Sequence, residues 1–434
     1  MNKNKIGNLY QTARKKLPNV NALSALISRF LGMGLQFLSV LVMARALGAA
    51  DIGLFSLYSS FLVLISAVIG FGSPVNSFTV VSRLHIKEDW NGIWHYFFDI
   101  VKVMLVVALV LLAAYFVLIQ VSSGWGDNYL AVLPYSLVGA VIFVFLRNAF
   151  EFMQAMSKTT VAMILENVLA PLVMIAFIVM TGLLGVAIEA QWVMLVNISI
   201  FAALAVTMFM LTVHKPVHKQ SSSPEISLKL FNKSTFALWM SSILDMAFVN
   251  VPTILAAQVA SMADVGRFSI AFRFIAMIAS LLMVVRGTLG RDLIKHYHAK
   301  DYDGCQQVMR SMQKFGLVIY APIMLVFAVG GEYLFNLFGK SFDGAYVYLL
   351  ILGVGQLVYA AFGFSGFALV AMDEGKFEAF FSMFCMLLMV CIAWALQDYS
   401  AKGVAIAFSV SISVRSFIPY LYARRKLVLL KQGT

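Results

Sequence analysis

Apolar residues in this chain come in long, nearly uninterrupted runs, separated by short polar stretches that carry most of the charge. The runs fall near 21–44, 52–73, 96–119, 129–150, 161–181, 184–212, 232–258, 265–289, 313–330, 345–370, 377–396 and 403–422. A run of about 20 apolar residues crosses roughly 30 Å of hydrocarbon as a helix, in which every backbone polar group is satisfied internally. The pattern therefore predicts an all-α, polytopic membrane protein of about twelve transmembrane helices.

The pattern also repeats. Asp51-Ile52-Gly53-Leu54-Phe55-Ser56 follows the first run, and Asp264-Val265-Gly266-Arg267-Phe268-Ser269 follows the seventh, half a chain later. Ala44 then matches Ala257, Ala50 matches Ala263, and Lys87-Glu88 matches Lys300-Asp301. Each half holds an even number of runs, so the halves share one orientation. Two six-helix bundles related by a pseudo-twofold axis along the membrane normal are expected, around a central cavity. The polar, proline-interrupted stretch from His214 to Pro224 reads as their joint. The expected division is an N-terminal bundle over 1–213, a cytoplasmic linker over 214–229 and a C-terminal bundle over 230–434. A flexible joint would let the bundles rock in alternating access.

Composition excludes a soluble globule, with 61% hydrophobic and 12% charged residues and a mean hydropathy of +0.89. The net charge of +12 is one-sided. If both termini and every second loop share a face, that face takes most of the lysines and arginines, Arg147 and Lys158 counted among them. The other face keeps only Arg45, Arg267, Lys340 and Lys402. The positive-inside rule makes the basic face, with both termini, cytoplasmic. The basic first twenty residues then lie on the membrane before a retained first helix. The charge implies contact with anionic membrane lipids, and no nucleic acid is expected as a partner.

No cofactor or metal is expected. Cys305, Cys385 and Cys391 lack ligand spacing and read as small apolar residues, while the histidines of His296-Tyr297-His298 stand two apart and do not share a helix face. Gly339-Lys340-Ser341 lacks the glycine a phosphate-binding loop needs, because position 335 is Phe335. Gly363-Phe364-Ser365-Gly366 departs from a nucleophile elbow by one position. This motif, Gly32-Met33-Gly34 and Gly70-Phe71-Gly72 read as small-residue helix packing. A carrier rather than an enzyme is indicated, and the short external loops leave little room for an integral-membrane polysaccharide polymerase or ligase.

A charge at the bilayer centre costs about 2.5–3.5 kcal/mol on insertion scales, so it is normally paired or faces a cavity. Arg29, Asp245, Arg273 and Arg415 lie deep within runs, whereas Asp99, Lys102, Glu166, Glu189 and Arg286 lie nearer their ends. A guanidinium keeps its charge when desolvated and donates paired hydrogen bonds to phosphate, so Arg29, Arg273 and Arg415 are candidate anion contacts. Asp245 is either an ion-coupling carboxylate or a charge partner, with Arg273 as the nearest such arginine in sequence. The helix-disturbing Pro252 and Pro74, near Asn250 and Asn76, would free backbone carbonyls.

The opening run Arg29-Phe30 through Gln36, Ala44-Arg45-Ala46-Leu47-Gly48, Asp51 through Tyr58, and the glycines Gly70 and Gly72 resemble the N-terminal signature of Wzx-type polysaccharide flippases. These belong to the multidrug/oligosaccharidyl-lipid/polysaccharide exporter superfamily. The resemblance implies a V-shaped pair of bundles in a bacterial inner membrane. It implies as substrate an undecaprenyl-pyrophosphate-linked oligosaccharide, moved to the periplasmic leaflet for O-antigen or another surface polysaccharide. Arg29, Arg273 and Arg415 are the positions that suit the cationic cavity of that family. A polysaccharide polymerase and a chain-length regulator are the protein partners it suggests. A cation-coupled multidrug exporter of the same superfamily is the alternative, although three central arginines against one aspartate favour an anionic substrate.

Overall fold

A computed structural model describes residues 20–121, 127–212 and 233–432, with side chains except at 20–30, 75, 118–121, 233–238, 241–242 and 280–288. The basic N-terminal segment and the expected linker lie outside the described residues, as does the side chain of Arg29. The first lobe comprises α1 (Val20–Gly70), α2 (Ser73–Ile86), α3 (Trp90–Val121), α4 (Asp127–Ala155), α5 (Thr159–Ile164), α6 (Ala170–Leu183) and α7 (Ala190–Thr212). The second comprises α8 (Lys233–Val259), α9 (Met262–His298), α10 (Tyr302–Asn336), α11 (Ala345–Phe362), α12 (Ser365–Ala371), α13 (Gly375–Ala395) and α14 (Ser400–Gln432).

Each expected span falls on this helical framework. The first two lie within α1, which bends at Gly48, where φ is 81°. Among the described residues, nine helical stretches are long and apolar enough to cross a membrane. Outward-facing side chains such as Val106, Leu109 and Val110 are exposed in the isolated chain, as a lipid-facing surface requires. The protein is an all-α, multi-pass membrane protein built as two bundles.

Loops on the basic face are tight and pinned. Asp89 accepts a hydrogen bond from the Gly92 amide at 2.8 Å, and Asp301 accepts one from the Gly304 amide at 2.9 Å. Each satisfies an otherwise orphaned donor at a helix start. Glu88, Ser157, Lys300 and Asp373 take left-handed backbone angles to reverse the chain. His296 bonds Asp301 at 2.7 Å. The Gly304 amide, and secondarily His296, hold the Asp301 carboxyl below its usual range. Among the described residues no cluster of three or more His, Cys, Asp or Glu could hold a metal ion.

Two glycine motifs coincide with helix breaks, and in the second Gly366 also packs as expected, because a methyl group there would overlap Glu378. α1 ends at Gly70, Phe71 adopts φ 43°, and Gly72 takes the left-handed conformation before Pro74 starts α2. Proline within the first helical turn lacks only a donor that would be orphaned anyway, so the sequence restarts a helix there cheaply. Asn148, buried on α4, fixes the restarted helix by donating to Ser73 Oγ at 3.1 Å and accepting from Ser77 Oγ at 2.8 Å. The second break separates α11 from α12 at Gly363 and Phe364. Gly32 does pack as expected, since a methyl group there would overlap Asn167.

Candidate functional site between the lobes

The lobes meet where the sequence repeats. A Cβ on Gly53 would collide with the Met262 carbonyl oxygen, and one on Gly266 with the Ala49 carbonyl oxygen. These contacts are exchanged by the pseudo-twofold relation, because Gly53 and Gly266 occupy equivalent repeat positions. Only glycine lets the two backbones approach this closely. On the same face Arg45 donates to the Leu337 carbonyl at 2.6 Å and Arg267 to the Ser341 carbonyl at 3.0 Å. The arginines left on the lightly charged side thus tie α1 and α9 to the connection between α10 and α11.

Further into the membrane, α8 of the second lobe runs along α1. Near the opposite face Tyr129 donates to the Ile254 carbonyl at 3.0 Å. Towards the basic face the Trp239 indole donates to the Ala67 carbonyl at 2.9 Å and packs on Phe71, with ring centroids 4.3 Å apart. The α1 break explains this bond: Phe71 donates to Val68 instead of Ala67, which leaves the Ala67 carbonyl free. Freed carbonyls were expected near Pro74, and one of them receives a tryptophan from the other lobe.

Arg273 lies on α9, roughly 16 Å along the helix from its start at Met262. Its guanidinium stands 5.9 Å from the ring of Phe55 on α1, in the seam between lobes. Among the described residues it has neither a carboxylate partner nor a hydrogen bond. The neighbouring Phe272 faces the other way, against Phe408 of α14 at 4.9 Å.

Asp245 pairs with Arg415 rather than Arg273. An Arg415 Nη atom lies 2.8 Å from Asp245 Oδ1, joining α14 to α8. Arg415 Nε donates to Ser382 Oγ of α13 at 3.1 Å, and Ser382 donates to Glu378 at 3.1 Å. The guanidinium also lies over the Phe248 ring at 4.7 Å. Exposure differs sharply within the pair: the Arg415 side chain is 22% exposed and that of Asp245 64%. The site therefore unites two of the four candidates, leaves Arg273 at the lobe seam, and gives no side-chain position for Arg29.

One charged network was missed from sequence. Arg147, counted there with a basic loop, lies inside α4 and contacts Glu166 at 3.3 Å and Glu151 at 3.7 Å. Glu166 sits in a π-helical turn, Leu165–Leu169, between α5 and α6. Such turns recur at functional positions. The spacing of Arg147 and Glu151, four apart, would have revealed one of these contacts. No periodicity points to Glu166.

Residues 20–288 match the family described as polysaccharide biosynthesis protein. The chain belongs to that family. The Wzx-type resemblance of its N-terminal signature is accordingly borne out, and the match runs through the first lobe into α9 of the second. Among solved structures, this polysaccharide biosynthesis protein is similar to an inward-facing multidrug resistance MATE family transporter of the MOP superfamily. Its TM-score is 0.70 at 15% identity, covering 94% of this chain and 99% of the other. An outward-facing MATE family transporter gives 0.60 at 17% identity, covering 94% and 96%. A MOP superfamily transporter from Pyrococcus furiosus, described as having a binding pocket of reverse polarity that suggests a different function, gives 0.61 at 18% identity, with the same coverage. These likenesses establish a MOP transporter fold. No curated protein matches the chain in sequence.

Proposed function

We propose that this protein is a lipid-linked oligosaccharide flippase of a bacterial inner membrane, with its basic face and both termini in the cytoplasm. It carries an undecaprenyl-pyrophosphate-linked glycan from the cytoplasmic to the periplasmic leaflet by alternating access, for O-antigen or a related surface polysaccharide. A polysaccharide polymerase and a chain-length regulator would take over the product. The observation that carries this reading is Arg273, a guanidinium set between the lobes against Phe55 with no anion of the protein's own among the described residues. A desolvated, uncompensated arginine is costly, and a diphosphate headgroup supplies the missing charge through paired hydrogen bonds. The glycan and phosphates need a polar passage, while the lipid tail stays in hydrocarbon at a lateral opening. No bond is made or broken in the substrate.

The test is reconstitution of the full chain in liposomes carrying a fluorescent polyprenyl-pyrophosphate-linked glycan, with leaflet accessibility read over time. Protein-dependent exchange that fails for an uncharged polyprenol glycoside supports the proposal. Transport of organic cations with no movement of the lipid-linked glycan would instead assign the protein to the multidrug exporters.

A further inference from the structure

We propose that Asp245 is a built-in substitute for the anionic substrate, a carboxylate that occupies the open edge of Arg415 between loads and yields to a phosphate-bearing headgroup. This inference rests on the anionic-substrate reading above and assigns Asp245 a positioning and release role in it.

The geometry separates a fixed part from an exchangeable part. Arg415 is held by Ser382 of α13 through Nε and by the ring of Phe248 beneath it. Ser382 is only 6% exposed and is itself bonded to Glu378, so this anchor does not depend on Asp245. A guanidinium has five donors in one plane, and among the described residues the Ser382 and Asp245 contacts leave several of them uncommitted. Asp245 covers the remaining edge with one oxygen at 2.8 Å. Its side chain is 64% exposed, and Arg415 is its sole partner among the described residues. One member of the pair is thus embedded and clamped, and the other is exposed.

A diphosphate competes well for such an edge. It brings more than one negative charge and can accept two parallel hydrogen bonds where Asp245 accepts one. The exchange keeps the guanidinium paired throughout, which avoids a bare cation at membrane depth when the carrier returns empty. It also assists release, because the tethered carboxylate is always at hand to reclaim Arg415. Asp245 therefore weakens binding and speeds turnover, the opposite of a residue that contacts the ligand.

The experiment measures binding of geranylgeranyl pyrophosphate, with geranylgeraniol as the phosphate-free control, to the full chain in nanodiscs. Wild type should prefer the pyrophosphate. Asp245→Asn should tighten that binding about ten-fold and slow dissociation, with geranylgeraniol affinity unchanged. Asp245→Glu, which restores the charge, should return affinity to near the wild-type value. In an Arg415→Gln background the Asp245→Asn effect should vanish. Should Asp245→Asn not remain folded, Asp245→Ser frees the same edge and is read in the same way. A wild-type preference for pyrophosphate with unchanged or weaker binding in the Asn and Ser variants overturns the exchange while leaving the substrate reading intact. Absence of any pyrophosphate preference in wild type and variants alike overturns both.

Discussion

Arg147 and Arg415 lie within helices of opposite lobes and are compensated in opposite ways. Arg147 stands between Glu151 and Glu166, whose side chains are 18% and 22% exposed, so each carboxylate is as embedded as a structural pair requires. Around Arg415 the burial is reversed: the guanidinium is 22% exposed and its carboxylate 64%. Arg273, at the seam, has none among the described residues. A guanidinium surrounded by carboxylates stabilises its lobe, whereas one left with an open edge is available to a ligand.

This contrast breaks most directly at the two extremes. Arg273→Ala should lower transport by at least about ten-fold with little loss of protein from the membrane. Arg147→Ala should do the reverse, destabilising the first lobe by about 1–3 kcal/mol because two embedded carboxylates lose their cation, a loss moderated by the partial exposure of Arg147. Quantitative blots of membrane fractions, thermal unfolding in detergent and transport assays separate the outcomes. A stable, inactive Arg147→Ala protein would refute the division into structural and ligand-facing arginines.

The seam itself provides the next effect. Gly53→Leu or Gly266→Leu should each force the lobes apart on the lightly charged face, with similar consequences because the two positions are equivalent. A change of about 1–3 kcal/mol in stability is expected, together with a longer interlobe distance between spin labels on that face. Unequal responses would show that the lobes do not share the contact symmetrically. On the basic side, Trp239→Phe keeps the ring against Phe71 and removes the bond to the Ala67 carbonyl, costing about 1 kcal/mol in thermal unfolding.

The smallest effect belongs to the exposed Asp301 turn. Its carboxyl is more acidic in the folded chain, so the stability it contributes is complete above the ordinary aspartate value and is lost as pH falls through the lowered one. Asp301→Asn should flatten that acid limb of the melting-temperature profile, and an unaltered profile would show that the turn does not depend on the charge.

The spans and the repeat were legible because twenty apolar residues in a row have few alternatives, and because Asp51 through Ser56 and Asp264 through Ser269 survive as sequence. That Asp245, Arg273 and Arg415 lie inside long helices was legible for the same reason. Their partners were not. Depth along a span is one coordinate, and pairing also needs the rotation of each helix and the order of helices around the bundle. Hence Asp245, closer in sequence to Arg273, meets Arg415 across 170 positions. Gly70-Phe71-Gly72 was misread because glycines that allow close packing and glycines that allow a turn look alike until φ is known, as it is at Gly72. Position 71, a phenylalanine in the left-handed region, carried no sign of it.

The reciprocal contact at Gly53 and Gly266 brings main chain against main chain, with no interlocking rotamers to release. A hinge made this way resists sideways slip through steric fit yet offers little opposition to rotation about the point of contact. In the alternating access proposed above, rotation would centre on this bearing, and the ring contacts of Phe37 with Phe274 and Phe338 across the same seam would have to shift with it. A small turn at the bearing becomes a wide swing at the far ends of helices some 50 Å long.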